Sequence, residues 1–177
     1  MSTTTAEVVL DPEKEYEIVD GRPEEKEMGG AQHGRVGSRL ISRLAAFVEA
    51  NGMGVVYAVE TSFRIGQNVR IPDVAFVSAD RIRKYGEPAG FWPIAPDLAI
   101  EIVSPNDLYE RVLSKITEYF EADVSEVWLI SLEHRMISIF HSPLSVRILG
   151  EADELVSDLF PDFRCSVAEI FKGPLPG

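Results

Sequence analysis

The chain has 177 residues, 45% hydrophobic and 26% charged, with 29 acidic against 17 basic side chains and a formal charge of −12. This length suits one domain with a continuous core, and a single cysteine, Cys165, excludes an internal disulfide or a cysteine-built zinc cluster and fits a reducing compartment. No apolar run is long enough to span a membrane, the opening residues do not read as a signal peptide, and the acidity counts against nonspecific DNA binding through phosphates, so a cytoplasmic protein is expected.

Residues 1–14 lack periodicity and read as a flexible N-terminal arm, leaving 15–177 as a single domain. Tyr16–Val19, the turn Asp20-Gly21-Arg22-Pro23 and Glu25–Met28 read as a hairpin, since Asp-Gly is a strong turn signal. From His33 to Ala50, Val36, Leu40, Ile41, Leu44, Phe47 and Val48 recur at helical spacing, and Asn51-Gly52 closes the helix. Strands are expected at about 54–60, 62–65, 73–78 and 97–103. Tyr85, Phe91, Trp92 and Pro93 read as an exposed loop suited to an interface or to substrate. A second helix starts at Pro105-Asn106-Asp107, capped by Asn106 or Asp107, and runs to about Ala122. Strands at about 125–131, 135–141 and 144–149 and a helical turn near 166–171 complete the chain. The expected fold is α/β (α+β), with a central mixed β-sheet flanked by helices.

Two segments carry chemistry, IPDVAFVS and PDLAIEIVSP, each an apolar strand with an acid inside it. Burying an unpaired carboxylate costs several kcal/mol, so such an acid has a partner, a proton or a metal. By strand alternation Asp73 shares a face with Ala75 and Val77, and Glu101 with Asp97, Ala99 and Val103. The bulkier residues take the opposite face, so the acid face has room for an ion or substrate. Either acid alone is more often structural, paired with an arginine such as Arg64 or Arg70; the two together favour a functional site. Lys115 lies on one helix face with Leu108, Val112 and Tyr119. It either snorkels to water or places its ammonium near the two acids. His33 is open to a phosphate or water contact or to a structural role at its helix start.

The order YEIVDG, EMGGAQHGRVGSRL, VETSFRI, IPDVAFVSADRI, PDLAIEIVSPND, the Lys115 helix with Tyr119, and LFPDFRCSVAEIF resembles the Uma-type endonucleases of the PD-(D/E)xK, or restriction-endonuclease-like, superfamily. The resemblance implies a restriction-endonuclease-like core and a divalent-metal-dependent endonuclease that hydrolyses phosphodiester bonds in nucleic acid, DNA in the first instance. It makes Asp73, Glu101 and Lys115 the catalytic residues. Asp73, Glu101 and the backbone carbonyl of Ile102 become ligands of Mg²⁺ or Mn²⁺, with His33, Glu60 and Glu27 as further substrate or supporting contacts. The usual motif places a lysine two residues after the second acid, where this chain has Val103; Lys115 on the next helix is the matching residue. Ser62 and Ser131 depart from the family pattern at positions peripheral to this site. A homodimer would suit cleavage of both strands. The rival expectation is a nuclease-fold binding or regulatory module without catalysis.

Overall fold

The computed structural model describes residues 10–11, 14–26, 29–103 and 108–174. In chain order its elements are β1 (Tyr16–Val19), β2 (Arg22–Glu25), α1 (Ala31–Ala50), β3 (Gly54–Ala58), β4 (Phe63–Ile65), β5 (Asn68–Arg70), β6 (Val74–Ser78) and α2 (Ala79–Tyr85). They continue as β7 (Leu98–Val103), α3 (Tyr109–Glu121), β8 (Glu126–Ser131), β9 (Met136–Ser142), β10 (Ser145–Leu149), β11 (Glu154–Leu155), β12 (Cys165–Ser166) and α4 (Val167–Phe171).

A six-stranded mixed sheet in the order β10-β9-β8-β7-β6-β3 forms the centre. Only β7 and β8 pair in parallel within it, with α3 lying between them in the chain, as a parallel connection requires. The expected mixed sheet flanked by helices is therefore present. Val36, Leu40, Leu44 and Val48 repeat every four residues along α1 and are fully buried. They pack against Val74, Phe76, Leu98, Ile100 and Ile102 on one sheet face. Burying each such side chain contributes about 1.5–3 kcal/mol. A Cβ at Gly37 would sit 3.3 Å from Ile102 Cδ1, so this glycine lets α1 lie close over β7. On the other face Ile116 and Tyr119 of α3 pack with Ala75, Ala99, Phe63 and Trp92.

A second sheet, β2-β1-β5-β4, brings the N-terminal hairpin beside the main one. Its turn is the two-residue pair Asp20-Gly21, both with positive φ (49° and 73°), so the return strand begins at Arg22 rather than at Glu25. Pro23 is tolerated there because β2 is an edge strand.

Other expectations change too. Helix α3 starts at Tyr109 with Leu108 in the cap position; Asn106 and Asp107 lie outside the described residues. Trp92 is core, not surface, stacked on Phe63 at 6.5 Å, whereas Tyr85 and Phe91 are exposed. Helix α2 went unread although its signals are present: Ser78 accepts from the Arg81 N–H, and Gly86 (φ 72°) ends it. Strand β5 escapes a hydrophobicity pattern because polar Asn68 and Arg70 bracket Val69. No helix among the described residues is long and apolar enough to cross a membrane.

Candidate active site

Asp73 lies in the bend just before β6, not inside the strand. The β6–β7 pairing runs from Val74↔Ile100 to Phe76↔Leu98, so beyond Ile100 the inner edge of β7 is unpaired with β6. Asp73 fills that gap. Its Oδ2 accepts from the Ile102 N–H at 2.7 Å and lies 3.2 Å from His33 Nε2, while its Oδ1 accepts from Lys26 Nζ at 2.9 Å. Burial by itself would raise the Asp73 carboxyl. The hydrogen bond with His33, the charge of Lys26 and the Ile102 N–H outweigh it and hold the group well below the usual carboxylate range.

His33 reaches this point from the first turn of α1. A Cβ on Gly29 would stand 2.3 Å from the His33 ring, so Gly29 leaves the space in which the imidazole sits. The bond to Asp73 raises the His33 pKa above its ordinary 6.5.

Glu101 projects from β7 toward α3. Its Oε1 accepts from Tyr119 Oη at 2.5 Å and lies 2.9 Å from Lys115 Nζ. Helical spacing puts Lys115 and Tyr119 one turn apart, so a single helix face grips one carboxylate. Burial, together with the negative charge of Asp73, raises the Glu101 carboxyl despite Lys115. Burial would lower the Lys115 amine, but the carboxylates of Glu101 and Glu17 overcome it and push it up to about 12. Of the two sequence alternatives for Lys115, the ammonium lies among acids.

Glu17 is a participant that the sequence reading missed. Buried on β1, it accepts from Lys115 Nζ at 2.9 Å, from the Ile71 N–H at 2.9 Å and from Arg70 Nη1 at 3.0 Å. Arg70 in turn forks onto Glu118, with Nη2 2.7 Å from each carboxylate oxygen. So Arg70 pairs with these two acids and not with Asp73 or Glu101, and Arg64 lies over the Phe91 ring. The one legible signal for Glu17 was its place between Tyr16 and Ile18 in YEIVDG. Lys26, also missed, sits next to three further charged residues and had no apolar frame to mark it.

The open space expected on the acid face is filled. Ala75 and Ala99 are buried beneath Trp92 and Tyr119, and their small size admits those rings. Glu60 is exposed in the turn after β3 with positive φ (84°), and among the described residues no hydrogen bond or ion pair joins it to either acid. Glu27 lies outside the described residues.

A separate trio, Glu126, His141 and Asp158, has ligand atoms within 4.8 Å of one another. Glu126 pairs in register with Leu98, at the opposite end of β7 from Ile102. Its carboxylate accepts from Trp128 Nε1, Ser157 Oγ and the Asp158 N–H, which ties the 157–158 segment to the sheet. This trio is distinct from the Asp73–Glu101 centre.

Residues 5–168 match the Uma2 family, described as "putative restriction endonuclease". The fold also matches the crystal structure of a "putative nuclease belonging to DUF820" from Anabaena variabilis ATCC 29413, with a TM-score of 0.81 and 21% identity over 92% of this chain and 93% of that one. At that identity the likeness is one of fold. No curated protein matches the chain.

Proposed function

The chain belongs to the Uma2 family, and from that premise we propose that it is a divalent-metal-dependent endonuclease acting on phosphodiester bonds, with DNA as substrate. The observation that carries this reading is the Asp73 carboxylate bonded to the Ile102 N–H, one residue past Glu101 and close enough for its charge to raise the Glu101 carboxyl, with Lys115 2.9 Å from Glu101.

The donor set suits Mg²⁺ or Mn²⁺, since both carboxylates and the Ile102 carbonyl offer oxygen. A strand residue turns its N–H and C=O to the same side. The Ile102 N–H is bonded to Asp73, so its carbonyl opens toward that acid as well. A divalent ion held there would lower the pKa of a bound water and neutralise charge on the scissile phosphate. Asp73 is kept ionised by its own surroundings, and Tyr119 holds Glu101 in orientation. Lys115 orients the attacking water and stabilises developing negative charge. His33, beside Asp73, is placed to contact phosphate or water. Cutting both strands of a duplex calls for two centres, which a homodimer supplies.

A noncatalytic binding module is the second reading. It is favoured by the lysine partners that both acids already have within the chain. Calorimetry with Mn²⁺ on wild type and Asp73→Ala, with plasmid nicking on the same samples, separates the two. A nuclease binds Mn²⁺ and nicks, and loses both in the variant. Binding without nicking favours the module, and no binding in wild type removes the metal-dependent reading.

A further inference from the structure

Lys26 leaves the end of β2 with its backbone N–H bonded to the Glu15 carbonyl at 2.9 Å. Its side chain is mostly buried, and its ammonium donates to the Ile71 carbonyl and, at 2.9 Å, to Asp73 Oδ1. Asp73 Oδ2 is already engaged by Ile102 and His33. Lys26 is thus the cation on the one Asp73 oxygen left for a ligand.

The charges around it decide how it can behave. Among the described residues, four carboxylates (Glu17, Asp73, Glu101, Glu118) face three permanent cations (Lys26, Arg70, Lys115), with His33 as a fourth when protonated. The cluster is therefore close to neutral as it stands. Adding a divalent ion without removing a cation would leave an excess of positive charge in a largely buried place, which is costly. Arg70 and Lys115 each bridge two carboxylates, whereas Lys26 pairs with one. Lys26 is the cation that yields most cheaply, and its long flexible stem lets the amine move without moving the backbone.

We propose that Lys26 is a built-in placeholder for the metal: its ammonium neutralises and orients Asp73 in the ion-free protein and gives up Asp73 Oδ1 when the divalent ion binds. This rests on the metal-dependent reading above and makes Lys26 a positioning residue that sets metal affinity. It gives the ion-free site a stable, charge-balanced form at the expense of weaker ion binding.

The test is Mn²⁺ calorimetry without nucleic acid on wild type, Lys26→Met, Lys26→Gln and Lys26→Arg, beside ion-free thermal melts. A charge-assisted hydrogen bond of ordinary strength predicts that Lys26→Met and Lys26→Gln bind Mn²⁺ about 10- to 100-fold more tightly than wild type. The same variants melt lower without ion and recover more on saturation with it. Lys26→Arg, which restores a cation, returns affinity toward the wild-type value. If wild type binds Mn²⁺ and the neutral variants bind it equally or more weakly, the placeholder role is overturned while the metal site survives. If neither wild type nor any variant binds, the metal reading falls and this inference falls with it. Lys26→Gln keeps the test open should Lys26→Met fail to fold.

Discussion

Lys115 stands 2.9 Å from Glu101, reaching strand β7 from helix α3. On that strand the side chain two residues after Glu101 is Val103, so the ammonium at this carboxylate comes from the helix. The same amine also serves Glu17, so one cation joins the candidate site to the N-terminal hairpin.

Lys115→Ala is expected to reduce plasmid nicking by about 10²–10³, the usual loss for a donor that stabilises transition-state charge. It should also destabilise the fold by about 3–5 kcal/mol, because two mostly buried carboxylates lose a shared cation. Urea denaturation gives the second quantity, and nicking is then read under conditions where the variant is folded. Unchanged nicking would remove Lys115 from the chemistry.

Arg70 makes a sharper stability prediction, since it is buried and holds Glu17 and Glu118 together. Arg70→Met should cost about 3–5 kcal/mol. Arg70→Lys should recover only part of this, because an ammonium cannot reproduce the guanidinium fork on Glu118. Denaturant midpoints of the two variants against wild type check both statements. Full recovery in the lysine variant would mean that charge alone matters.

The acid limb of stability should respond to Glu17. Burial pushes its carboxyl up, but Lys115, the Ile71 N–H and Arg70 outweigh burial and set its folded pKa below the ordinary 4.5. A depressed acid contributes stability above its unfolded pKa and loses it as pH falls through the folded value. Wild type should therefore weaken as pH drops below about 4.5, the ordinary value for this group. Glu17→Gln, less stable at pH 7, should show a shallower loss over that window. Denaturation curves collected from pH 7 to pH 3 decide it; parallel profiles would show that Glu17 does not drive the acid transition.

Gly29→Ala tests the seating of His33. The added Cβ would overlap the imidazole at 2.3 Å, and the histidine Cβ lies at only 2.8 Å, so the whole side chain must shift. The His33 pKa should then fall toward 6.5, because the bond to Asp73 is the largest cause of its rise. An NMR titration of the imidazole reads this directly. An unmoved pKa would mean that the loop before α1 relaxes and keeps the pair intact.

What the sequence determined by itself is what repeats locally. The four-residue spacing of Val36, Leu40, Leu44 and Val48 defines α1 and its buried stripe, and alternation along 98–102 sorts that strand onto two faces, because such periods depend only on backbone geometry. Asp73 and Glu101 stood out because a charge within an apolar strand is conspicuous, and the spacing of Lys115 and Tyr119 put them on one face of a helix. Tertiary structure alone decided the partners. Lys26 meets Asp73 across 47 residues and Glu17 meets Lys115 across 98, and no local pattern marks a polar residue whose burial depends on a distant charge. The same holds for Arg70 on a short polar strand, for Trp92 turned into the core, and for Asp73 displaced from the strand into the bend before it. Each is set by which surfaces meet once the two sheets and their helices pack, and that is where burial and ion pairing are decided.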